Sequence, residues 1–182
     1  GKPIIISTGM ASLIEISEGV AAAREAGAAD IIVLKCTSAY PAPPEDMNLR
    51  TIPHLAQALD VYVGLSDHSM GVGAAVASVA LGAVFIEKHF TLARSDGGVD
   101  STFSLEPAEL QSLVTETRVA RLALGQVSYI PKDVESSFRR YRRSPKPQHG
   151  SIRVRWSVGT PDLEVWCAFP YDQQCRMRPD GL

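Results

Sequence analysis

Four short runs rich in Ile and Val recur along the chain, at Pro3–Ser7, Asp30–Lys35, Val61–Leu65 and Val84–Glu87, beginning about 27, 31 and 23 residues apart. Each is a continuous apolar run and not an alternation, the pattern of a strand buried on both faces of a parallel sheet. The intervening segments read as helices. Ser12–Ala26 places apolar residues on one face and ends at Gly27, a good helix terminator. Leu49–Leu59, Val72–Leu81 and Pro107–Leu124 behave similarly, the last with Pro107 in its first turn and Gly125 as its stop. Strand and helix alternating at this period predict right-handed βα units.

Such units fit an open doubly wound sheet or part of a barrel. The polar residues favour the barrel. Every run ends in small polar or ionisable residues: Ser7-Thr8-Gly9, Lys35-Cys36-Thr37-Ser38, Ser66-Asp67-His68 and Glu87-Lys88-His89. A βα barrel builds its site from the ends of several strands, whereas a flavodoxin-like sheet concentrates it at one switch point. The expected fold is therefore α/β, the C-terminal half of a (β/α)₈ barrel with about four βα units, followed by an irregular tail.

The domain reading is a partial barrel over 1–130, a basic linker over 131–150 and an irregular tail over 151–182. Between Lys132 and Arg155 eight Lys/Arg face two acids, a local balance of 8 − 2 = +6, so the remainder carries −2 − 6 = −8. The run Arg139-Arg140-Tyr141-Arg142-Arg143 invites a nucleic-acid reading, but one short basic run in a chain of net charge −2 reads better as a solvated linker. No nucleic-acid partner is expected. From Pro145 to Leu182 there are five prolines, with strands expected only at Ser151–Val158 and Leu163–Phe169.

With 45% hydrophobic residues, the 182-residue chain has the composition of a soluble globular protein. No apolar stretch approaches the roughly 20 residues of a membrane helix. Gly1-Lys2-Pro3 opens directly into Ile4-Ile5-Ile6 without a signal-like segment, so a cytoplasmic location and no membrane partner are expected. Cys36, Cys167 and Cys175 have neither disulfide-framework nor metal-site spacing.

His68 and His89 stand at the ends of consecutive strands, 21 residues apart. Neighbouring strand ends lie about 5 Å apart, so both imidazoles could reach one ion; with carboxylate or water added, Mn²⁺, Mg²⁺ or Zn²⁺ would suit. The bland alternative is two hydrogen-bonded core or cap histidines. Asp67, Glu87 and Asp100 are candidate acids nearby. For Asp67, capping a helix near Met70 is favoured over orienting His68. Asp100 lies in the loop Ser95-Asp96-Gly97-Gly98-Val99-Asp100-Ser101, the kind of segment in which a barrel places substrate contacts, or an ordinary surface turn. Ser7-Thr8-Gly9 and Thr37-Ser38 offer hydroxyls and N–H groups to a phosphate or carboxylate. Lys35 and Lys88 offer positive charge, or simply snorkel.

The strings Lys2-Pro3-Ile4-Ile5-Ile6-Ser7-Thr8-Gly9-Met10, Lys35-Cys36-Thr37-Ser38-Ala39-Tyr40-Pro41-Ala42-Pro43, Gly64-Leu65-Ser66-Asp67-His68-Ser69, Glu87-Lys88-His89-Phe90-Thr91-Leu92 and Phe103-Ser104-Leu105-Glu106-Pro107 resemble the sialic acid synthase family, over about residues 2–144. Within it, Lys35 before the Cys and the loop Gly97–Ser104 look more like pseudaminic acid synthases than N-acetylneuraminate or legionaminate synthases.

The resemblance implies a phosphoenolpyruvate-dependent transferase of carbohydrate biosynthesis. Its second substrate would be an N-acetylated amino sugar, in the pseudaminate branch 2,4-diacetamido-2,4,6-trideoxy-altrose, and its cofactor a divalent metal, Mn²⁺ or Mg²⁺, held by His68 and His89. On matched positions Ser7, Ser38 and Ser66 would contact the phosphate or carboxylate, while Tyr40 and Asp100 would contact the sugar. Sialic acid synthases often carry Asn at position 38.

The resemblance also implies a homodimer whose small antifreeze-like domain lends an arginine to the partner's site. Two departures follow. The family's first four barrel strands have no counterpart here, so these 182 residues alone are expected to be inactive. From Pro145 onward the antifreeze-like pattern is absent, as a shifted frame after about Ser144 or a gene-fragment boundary would explain; translating the other two frames tests this. Two other readings stand beside the synthase: a non-catalytic half barrel that completes a partner, and a metal-dependent aldolase sharing only the scaffold.

Overall fold

The computed structural model describes residues 1–141 together with 156–157 and 164–165. Two compact units divide the chain, Gly1–Val127 and Ser128–Leu182. In the first, strands β1 (Ile4–Ser7), β2 (Ile31–Cys36), β3 (Tyr62–Asp67) and β4 (Phe85–Lys88) alternate with helices α1 (Leu13–Glu25), α2 (Thr51–Leu59) and α3 (Gly73–Ala80), and α4 (Pro107–Leu124) closes the series. The strands and helices expected over this first unit form, with ends shifted by two residues at most. The two-residue shifts are at the end of β3, which takes in Ser66 and Asp67, and at the start of α2, while Cys36 joins β2 by a one-residue shift.

Local chemistry explains the helix ends. The Ser12 hydroxyl accepts from the Glu15 N–H while the Glu15 carboxylate accepts from the Ser12 N–H, satisfying donors that the first turn of α1 would otherwise leave open. The same reciprocal pair, Glu106 with Glu109, opens α4 ahead of Pro107. At the far end of α2, Arg24 donates to the carbonyls of Leu59 and Asp60 at 2.8 and 2.9 Å, tying α1 to α2.

The four strands are parallel and in sequential order β1-β2-β3-β4. Their outward face supplies Ile31, Val33, Val63 and Leu65, which pack with Val20 of α1 and Ile52, Leu55 and Leu59 of α2 into the main core. The inward face carries Ser7, Leu34, Gly64 and Phe85 in one row, with Cys36, Ser66 and Glu87 in the row above. This sheet is curled. In a flat sheet β1 and β4 would be three strand spacings apart, about 14 Å, yet the Ser7 Oγ lies 3.5 Å from Glu87 Oε1. Gly64 allows the tight inner packing, since a Cβ there would lie 2.4 Å from the Phe85 carbonyl oxygen and 2.5 Å from Leu34 Cδ2.

In the second unit, residues Asp133–Glu135 and Arg139–Tyr141 form single 3₁₀ turns, and β5 (Trp156–Ser157) pairs antiparallel with β6 (Glu164–Val165). Most of the expected linker and tail, with the frame-shift and antifreeze-like readings that concern them, lies outside the described residues. Among the described residues no helix is long and apolar enough to cross a membrane.

Candidate functional site

β3 and β4 end at Asp67 and Lys88, which are partners in register, so His68 and His89 are the first residues beyond two adjacent strand ends. Their ring centres lie 5.2 Å apart at 62°. His68 is buried, with Nδ1 2.9 Å from the Thr37 carbonyl oxygen. A carbonyl only accepts, so Nδ1 carries a proton, and in the neutral ring Nε2 is the nitrogen with the lone pair. His89 turns Nδ1 towards Asp100, with Oδ2 at 3.6 Å, an ion-pair distance too long for a direct hydrogen bond. Each imidazole is thus approached at Nδ1 by an acceptor, the arrangement that orients metal-ligating histidines.

The spacing of the two ring centres is one that a pair of imidazoles sharing a cation would have. A metal about 2.1 Å from an imidazole nitrogen sits about 3.2 Å from the ring centre, so two rings on one ion have centres about 4.5 Å apart at a right angle and about 5.2 Å at the tetrahedral angle. Among the described residues no group of three or more His, Cys, Asp and Glu is arranged to hold a metal. Two imidazoles would therefore be the share of these residues, with water or substrate oxygen completing the set.

Two aromatic rings frame the histidines. Tyr40 lies 4.4 Å from His68 and 6.1 Å from His89, and Phe103 lies 5.0 Å from His89 and 5.7 Å from Tyr40. Tyr40 is about half exposed and Phe103 buried. The structure thus brings His68, His89, Asp100 and Tyr40 together. Sequence reasoning did not single out Phe103, although the apolar residue beside Ser104-Leu105-Glu106-Pro107 was its available signal.

The serines are arranged differently from one another. Ser66 Oγ donates to Glu87 Oε1 at 2.7 Å, and Ser7 approaches the same oxygen. A hydroxyl has one proton, so Ser66 cannot donate to Glu87 and to an anion at once. Ser38 stands apart and exposed, its Oγ 4.0 Å from Cys36 Sγ.

The favoured reading of Asp67 as a helix cap is overturned. α3 begins at Gly73, with Val72 ahead of it and no side-chain cap. Asp67 instead accepts from Lys88 Nζ at 2.8 Å and from the N–H and hydroxyl of Ser69 at 2.8 and 2.6 Å. Lys88 is engaged in this outward network and donates also to the Ser69 carbonyl. Lys35 is half-buried, donating to the Cys36 carbonyl and Thr37 Oγ1, and burial holds its pKa below the ordinary lysine value.

The family model described as the NeuB family matches residues 1–129. The chain belongs to the NeuB family. It is 49% identical over 124 residues to a pseudaminic acid synthase of Campylobacter jejuni, covering 68% of this chain and 36% of that protein. It is 46% identical over 126 residues to an N,N'-diacetyllegionaminic acid synthase of the same species, covering 68% and 38%. Among solved structures, an N-acetylneuraminic acid synthetase of Leptospira borgpetersenii in complex with citrate superposes with a TM-score of 0.66 at 39% identity, covering 76% of this chain and 48% of that one. The four parallel strands are half of a TIM barrel. The chain thus spans well under half the length of the curated relatives named here.

In this NeuB-family chain the segment between β4 and α4 is fastened by Arg94, which sequence reasoning missed. Its backbone N–H donates to Glu106 Oε1 at 2.8 Å, its Nε to the Ser104 carbonyl at 3.0 Å, and its Nη2 pairs with Glu109. The Glu106 N–H bond, helped by Arg94, holds the Glu109 carboxyl below the ordinary carboxylate range. No local pattern marks Arg94, because its partners lie 10 to 15 residues away.

Proposed function

We propose that this NeuB-family chain carries the metal-binding half of a phosphoenolpyruvate-dependent nonulosonic acid synthase. Carbon 3 of phosphoenolpyruvate bonds to the aldehyde carbon of an open-chain N-acetylated amino sugar, water adds at carbon 2, and phosphate leaves by C–O cleavage. The reading is carried by the two imidazoles 5.2 Å apart, each facing an acceptor at Nδ1. The names of the relatives support the reaction class.

A divalent Mn²⁺ or Mg²⁺ at His68 and His89 would supply Lewis-acid polarisation of the aldehyde. The Thr37 carbonyl fixes the His68 tautomer, and Asp100 biases the orientation of His89. Tyr40 and Phe103 exclude water from one side of that space, and Asp100 and the exposed Tyr40 hydroxyl would meet sugar oxygens. Ser7 and Ser38 would donate to the phosphate or carboxylate. Ser66 would join them only when its proton leaves Glu87.

The sugar is assigned to the pseudaminate branch on Lys35 and the Gly97–Ser104 loop, not on overall identity, since 49% and 46% do not separate the two kinds of relative. Because β1 and β4 each leave an unpaired edge in this sheet, turnover is proposed to require further barrel strands. Turnover by the 182 residues alone at the rate of a complete family member would overturn that requirement. The metal reading is tested by titrating Mn²⁺ into the chain and its His68→Ala and His89→Ala variants. Affinity should fall at least tenfold in each; equal affinity in all three removes the site.

A further inference from the structure

Behind the two imidazoles, on the opposite side of the sheet, Asp67, Ser69 and the Lys88 side chain form a closed network, each of them 3% exposed or less. We infer that the Asp67–Lys88 pair is a positioning device, setting the spacing and aim of His68 and His89 without supplying a ligand. The inference rests on the metal reading above.

Connectivity carries the argument. Asp67 immediately precedes His68, Lys88 immediately precedes His89, and the two are partners in register. Lys88 Nζ bonds both Asp67 Oδ2 and the Ser69 carbonyl, at 2.8 and 2.6 Å, so the residues on either side of His68 are tied to the residue before His89. Side chains alternate along extended chain, so with Asp67 and Lys88 outward the residue that follows each strand end starts from the inward face. A shift of Lys88 relative to β3 would therefore swing one ring against the other.

Energetics point the same way. A buried ion pair is a poor source of net stability, because desolvation offsets its attraction, whereas fixing one geometry is an attested use of such pairs. The strand register does not need it, being held lower down by the pairing of Gly64 with Phe85 and Leu65 with Ile86.

The test measures Mn²⁺ binding to the full chain by the electron paramagnetic resonance of free Mn²⁺, and the visible absorption of bound Co²⁺ at saturation. The double variant Asp67→Asn with Lys88→Met removes both charges at nearly constant volume. Expected is a folded protein, by circular dichroism, whose Mn²⁺ dissociation constant is about 10- to 100-fold weaker and whose Co²⁺ band is shifted. Parental affinity and an unshifted band in the folded double variant overturn the inference. If that variant fails to fold, Ser69→Ala decides, since it removes one donor to Asp67 and no charge: about threefold weaker binding supports positioning, and unchanged binding overturns it. His68→Ala in the same assay separates the two ideas, for binding as tight as the parent's there sinks the metal reading itself.

Discussion

The ends of β3 and β4 each present one imidazole, yet they hold it in different ways. His68 is 6% exposed and held by a backbone carbonyl from the β2–α2 segment, a partner that no side-chain substitution removes. His89 has a side chain 33% exposed and faces Asp100, itself 45% exposed, on a loop that contains Gly97 and Gly98 at positive φ. One imidazole is built into the sheet; the other depends on a loop. The scaffold would thus present one preset nitrogen and one adjustable nitrogen to a cation, and the loop that adjusts the second is also the one expected to touch the sugar.

Four perturbations break or sharpen this contrast. Asp67→Ala strikes the preset side hardest, leaving the Lys88 ammonium buried without its carboxylate, and should cost about 3–5 kcal/mol in urea unfolding. A cost near zero would deny that β3 is the rigid end. Gly64→Ala, which drives a methyl group against the Phe85 carbonyl on β4 and Leu34 on β2, should cost about 1–3 kcal/mol by the same measurement.

Asp100→Asn acts on the adjustable side. It should leave stability within about 0.5 kcal/mol while weakening Mn²⁺ binding by up to about tenfold; a large loss of stability with intact binding would reverse the assignment of roles. The smallest effect concerns the base of the loop. Glu109 has a folded pKa below its unfolded one, so its contribution is present above the unfolded value and is lost as pH falls through the folded value. Because its side chain is 38% exposed, acidification should cost only about 0.2–1 kcal/mol. In Glu109→Gln this part of the acid dependence of unfolding should vanish, and an unchanged dependence would assign it elsewhere.

Much of the scaffold was legible because its signals are local. Continuous Ile/Val runs, the Ser12–Glu15 spacing and Pro107 each act within a few residues, so strands and helices could be placed to within a residue or two. The candidate site was legible in part. The fixed βα period put His68 and His89 beside each other, and the loop glycines pointed to Asp100. What Asp67, Lys88, Ser66 and Arg94 do was not legible, since each finds its partner across at least ten residues of intervening chain.

Asp67 shows why. Read along the chain it precedes a helix and suits a cap, but its strand runs on to include it, and alternation turns it outward onto Lys88. By itself the sequence determined the family, the parallel βα units and the histidine pair, because periodicity and motif order are properties of one dimension. Only the tertiary structure decided which hydroxyls are already engaged by Glu87, which charges lie behind the imidazoles and which nitrogens remain open above them. Those depend on strand register and curl, where a shift of one residue would send every side chain to the other face.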